Sequence, residues 1–176
     1  MSQQQLSFIE AITHCGRNLT NFKGRARRSE LWWNFLLAVI MQVVIEVFAS
    51  LFFLPDIVTT ILTSITFLGW MTAVTVRRFH DRGMNGTIVY MVAAFTLLVD
   101  LTFPYSGLDA AIDTDDINII RDFVVDNTYH IFALIINFVL DIIIFVVCVL
   151  DSKPKPNKYG ISPKYGEEDA EETENA

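Results

Sequence analysis

An all-α membrane protein of four transmembrane helices, with both termini cytoplasmic, is the architecture this sequence predicts. Three observations carry that expectation. Of 176 residues, 52% are hydrophobic, including 14 Phe, and the mean hydropathy is +0.41. Several uninterrupted apolar runs reach span length, which a soluble domain of this size does not normally carry. Finally, the basic residues alternate from side to side of those runs as an orientation signal requires.

The spans follow from length. A helix needs about 20 apolar residues to cross the roughly 30 Å hydrocarbon layer. Residues 31–54, 57–76, 87–103 and 130–150 qualify, the third being the shortest. They make a four-helix transmembrane domain over residues 31–150. Pro55-Asp56 and residues 77–86 are connections short enough for antiparallel hairpins. Residues 104–129 form an acidic outer loop, in which Asp116 precedes Ile117, Ile120 and Val124 as the start of a short helix.

Orientation follows from Lys and Arg. Residues 1–30 hold Arg17, Lys23, Arg25, Arg27 and Arg28; the second connection holds Arg77, Arg78 and Arg82; the tail holds Lys153, Lys155, Lys158 and Lys164. Twelve of the 13 basic residues thus fall in segments that an even number of spans places on one face. Arg121 stands alone in the loop among Asp109, Asp113, Asp115, Asp116, Asp122 and Asp126. The net charge of -7 therefore describes this loop and the acidic end beyond Glu167, not a global partner. Trp32 and Trp33 stand where an interfacial aromatic belt belongs.

Residues 1–30 form a cytoplasmic, basic segment. Phe8, Ile12, Cys15, Leu19 and Phe22 make one apolar stripe at helical spacing, as expected of an amphipathic helix lying at the membrane interface. The start, Met1-Ser-Gln-Gln-Gln, lacks the pattern of a cleaved signal peptide. Residues 151–176 form a cytoplasmic tail, broken by Pro154, Pro156 and Pro163 and expected to be disordered at its acidic end. Cys15 and Cys148 both fall on the cytoplasmic side, so no disulfide is expected.

Three motifs stand out: Phe22-Lys-Gly-Arg-Ala-Arg-Arg-Ser-Glu-Leu-Trp-Trp33, Val76-Arg-Arg-Phe-His-Asp-Arg-Gly-Met-Asn-Gly86 and Pro156-Asn-Lys-Tyr-Gly-Ile-Ser-Pro163. In order and chemistry the chain resembles, over roughly residues 8–163, the bacterial inner-membrane family catalogued as domain of unknown function 805. The resemblance implies a small multi-pass protein of the bacterial inner membrane and carries over no activity and no catalytic residue. The family's middle motif continues with a small residue, Gly and Trp, where this chain has Met84-Asn85-Gly86-Thr87.

Two residue sets are candidates for chemistry. Gly24, Arg25, Arg27, Arg28, Arg77, Arg78, His80, Asp81 and Arg82 should converge on the cytoplasmic face. Guanidinium forks match phosphate oxygens, and Gly24 and Gly83 would let backbone N–H groups approach an anion. The expected ligand is an anionic lipid head group or a phosphate. The same residues would also serve as orientation signals paired with Glu30 and Asp81. The second set lies within the spans. Counted from the outer ends, Asp100 lies about 5 Å deep, Glu46 about 12 Å and Asp141 about 16 Å. Gln42 and Asn137 each precede a carboxylate by four residues. Such groups either form a proton or cation path or fix the bundle by interhelical hydrogen bonds.

The sequence carries no P-loop, nucleophile elbow or zinc-protease motif, so neither a catalytic set nor a metal site nor a cofactor is expected. Three functions stay open: a scaffold or accessory module that binds an anionic lipid, a transporter using the carboxylates, and an enzyme acting on lipid phosphates through His80 and Asp81. The expected partners are membrane lipids rather than nucleic acid, with a homo-oligomer or another membrane protein left open.

Overall fold

The computed structural model describes residues 6–103, 107 and 116–165. Six helices make up the described chain: α1 (Phe8–Arg17), α2 (Arg28–Leu51), α3 (Asp56–Asp81), α4 (Thr87–Thr102), α5 (Ile117–Asp126) and α6 (Thr128–Val149). No strand occurs among the described residues. α2, α3 and α6 are each long and apolar enough to cross a membrane, whereas α4, with 16 residues, is shorter. Their large apolar side chains point outward: Val43, Val47, Phe132, Phe138 and Val139 are all at least half exposed. That distribution is what a hydrocarbon solvent demands, since it leaves apolar surface nothing to avoid.

α1 opens with a reciprocal cap in which Ser7 Oγ accepts from the Glu10 N–H and Glu10 Oε2 accepts from the Ser7 N–H. It ends sooner than the apolar stripe predicts. Asn18 turns the chain by donating from its side chain to the His14 carbonyl, so Leu19 and Phe22 lie beyond the helix. The buried residues of α1 are Ala11 and Cys15. Asn34 on α2 donates to the Ala11 carbonyl, and Cys15 packs in a core with Leu31, Met71 and Val74. Ala11 and Cys15 on this face are thus covered by protein.

α3 is longer than expected. At 1.5 Å per residue its 26 residues run about 39 Å. Residues 77–81, expected in a connection, form its last turn and a half, with Phe79 fully buried. The helix stops at a left-handed glycine. Gly83 (φ +77°) donates to the His80 carbonyl and Met84 N–H to the Phe79 carbonyl, a Schellman cap. Gly86 then passes so close to α3 that a Cβ there would lie 2.6 Å from Val76 Cγ1.

α5 begins at Asp116, whose carboxylate accepts from the Asn118 N–H. The other outer-loop acids Asp109, Asp113 and Asp115, and the acidic end beyond Tyr165, lie outside the described residues. The buried core gathers at the end of the bundle that carries the basic motifs, around Val74, Val76, Phe79 and Cys148.

Candidate functional site at the basic end of the bundle

Five charged side chains at this end, Arg25, Glu30, Arg77, Arg78 and Asp81, are buried and paired within the chain. Arg25 Nη2 lies 2.8 Å from Asp81 Oδ1, and Arg78 Nη1 pairs with Asp81 Oδ2; all three side chains are essentially inaccessible. Arg77 Nη2 meets Glu30 Oε1 at 2.8 Å, with both side chains 3% exposed. Breaking one partner of such a pair leaves a naked buried charge, so these residues hold one another in place.

The backbone takes up most of the remaining donors. Arg25 donates to the carbonyls of Asp81, Lys153, Lys155 and Gly160. Arg77 donates to those of Asn18 and Asn21. The end of α6 is capped in the same way. Its last carbonyls have no partner inside the helix and carry the negative end of its dipole. Arg78 donates to Cys148 and Leu150, Arg28 to Val149, and Arg82 to Asp151. One guanidinium reaches several carbonyls at once in a way a Lys point charge cannot.

His80 and Asp81 are adjacent in sequence but serve different partners. His80 stacks on Tyr159 at 3.7 Å, and its Nδ1 lies 3.2 Å from the Gly24 carbonyl. Asn157 donates to the His80 carbonyl and closes a tight turn with Gly160. Gly24 and Gly83 sit at positive φ and serve chain reversals, and the Gly83 N–H is spent on the helix cap. Sequence reading missed Asn34 and Trp70. Asn34 is fully buried, donates to the Ala11 and Glu30 carbonyls, and accepts from Trp70 Nε1 at 3.1 Å. Burial also pushes the Cys15 thiol up to about 11.

A more open charged recess lies beside this lattice. It encloses about 340 Å³ and is lined by Arg27, Arg28, Ser29, Trp32, Ser152 and Lys164, among others. Arg28 and Lys164 both meet Asp151, at 3.1 and 2.6 Å, and Arg28 keeps 44% of its side chain exposed.

The carboxylates of the spans fall into two cavities. Glu46 and Asp100 line one of about 630 Å³, together with Asp56 and several Thr; Asp100 accepts from Ser64 at 2.6 Å. Gln42 donates to the Thr63 carbonyl. Asp141 lines a separate, largely apolar cavity and accepts from Asn137, which itself accepts from Thr96.

A sequence model of the family described as "Protein of unknown function (DUF805)" matches residues 19–161. The chain belongs to the DUF805 family. No curated protein and no solved structure matches it. The matched stretch of this DUF805 protein runs from just before the first motif into the third. It therefore contains every ion pair of the buried lattice described above. The three motifs, up to 135 residues apart, meet in one place: Arg25 from the first, Arg78 and Asp81 from the second, Gly160 from the third.

Proposed function

We propose that this protein is a four-span protein of the bacterial inner membrane with both termini in the cytoplasm. In this reading it is a scaffold or accessory module that binds the phosphate-bearing head group of an anionic lipid. The observation that carries the reading is the recess of Arg27, Arg28, Ser29, Ser152 and Lys164, which adjoins Trp32 at the start of a long apolar helix. Arg25, Arg77 and Arg78, expected as ligand contacts, do not line this recess and instead pair with Asp81 and Glu30 inside the protein. Asp151 already bridges Arg28 and Lys164, so the recess fits an anion that competes with that carboxylate. Four spans keep the basic segments on one face, and α4, about 24 Å long, crosses where the bilayer thins.

The test is native mass spectrometry of the gently solubilised protein with phosphatidylglycerol or phosphatidylcholine added. Wild type should retain the anionic lipid, and Arg28→Ala/Lys164→Ala should lose it while melting within a few degrees of wild type. Equal retention of both lipids by both proteins would refute the reading. The shared cavity of Glu46 and Asp100 favours a second reading, cation movement. Proteoliposome flux that falls in Glu46→Gln would support that alternative.

A further inference from the structure

Between α2, α3, α4 and α6 lies a cavity of about 460 Å³, a volume ordinary for a small-molecule site. Its interior is made by Met71, Val92, Ala93 and Ile144. α2 and α6 touch only sparsely, and on that side the wall consists of Phe35 and Phe145, 39% and 55% exposed. Trp32 belongs both to this wall and to the cationic recess, and packs edge-on against Phe145 at 5.6 Å. We propose that one hydrocarbon chain of the anionic lipid occupies this cavity, entering between α2 and α6, while its head group lies in the recess beyond Trp32. The inference rests on the head-group reading given above.

The cavity is short along the bundle. Along α3 the lining runs from Phe67 to Thr75, about 12 Å. Chemistry decides against water. The lining is apolar apart from Asp141, Thr72, Thr75 and Thr96, and dry apolar cavities take up hydrocarbon. Asp141, bonded to Asn137, stands eight residues before the end of α6, about 12 Å in from the basic end, and gives the cavity a polar floor. Charge fixes the orientation of the guest. The recess of Arg27, Arg28 and Lys164, which has Trp32 in common with the cavity, takes an anionic head, and the channel beyond Trp32 takes its tail.

The experiment reconstitutes the full chain in vesicles containing phosphatidylglycerol that carries a diazirine in the middle of one acyl chain. Irradiation is followed by peptide mapping. Label on Met71, Ala93 or Ile144 is expected, falling about tenfold in Arg28→Ala/Lys164→Ala. Label confined to outward residues such as Val43 and Val139, 57% and 50% exposed, would overturn the inference even if native mass spectrometry showed the head group bound. Interior label of equal strength in the double variant would uphold the chain site and overturn the head-group reading. Ala93→Phe, which fills the cavity without touching the recess, should abolish interior label. If interior label persists in that variant at wild-type level, the chain lies elsewhere.

Discussion

Asp81 neutralises Arg25 and Arg78 together in a place that water does not reach. Asp81→Asn leaves two buried guanidinium groups without a counter-charge, and should cost about 3–5 kcal/mol of stability. Thermal unfolding in detergent reads that loss. Asp122→Asn is the control, because its pair with Arg121 is about two-thirds exposed and contributes under about 1 kcal/mol. An Asp81→Asn variant as stable as the control would mean that the buried lattice does not hold the fold. At this scale the sequence was legible in its charges: Arg25, Arg77 and Arg78 were identifiable, with Glu30 and Asp81 as partners. It was silent on Asn34, an uncharged residue in an apolar run, whose significance depends on Trp70 lying opposite. The faint signal was its position one turn after Glu30, to whose carbonyl it donates.

Among the helices, the close passage of α4 past α3 is the most exacting contact. Gly86 is needed there for space, because a Cβ would strike Val76. Gly86→Ala should destabilise by about 1–3 kcal/mol, and Gly86→Ala/Val76→Ala should recover most of that. A double-mutant cycle by thermal unfolding checks it, and additive losses would place the strain elsewhere. Apolar runs located α2, α3, α4 and α6 within a few residues, because hydrocarbon solvent imposes composition directly. The end of α3 was misplaced for a physical reason. Hydropathy falls at Arg77, but the helix continues for as long as its polar side chains find buried partners, as far as Asp81. α1 failed in the opposite sense: periodicity ran on to Phe22 while Asn18 had already turned the chain.

Over the whole molecule, residues 151–165 are tied back onto the bundle by backbone carbonyls and by Asp151. The hydrogen bond from Lys164 holds the Asp151 carboxyl below its ordinary 3.8, and the same contact raises Lys164 above 10.5. A depressed carboxylate contributes stability above its ordinary pKa and loses it as pH falls through the lowered one. A raised ammonium contributes below its ordinary pKa and loses it as pH rises through the raised one. Hydrogen exchange of residues 151–165, corrected for intrinsic rate, should therefore be flat between about pH 5 and 9 and quicken below about pH 4. Asp151→Asn should remove the acid limb; an unchanged limb would assign the tether to other groups. No local pattern in the sequence could have paired Arg25 with Gly160, since that contact spans 135 residues and depends on how four helices close. The same contact sets a timetable for biosynthesis. A nascent chain halted before Lys153 has already placed Arg25 at the membrane, yet the Lys153, Lys155 and Gly160 carbonyls to which it donates do not exist. The opening motif is thus finished only once the third motif has been made, and a chain truncated after α6 leaves Arg25 with Asp81 alone to receive its donors.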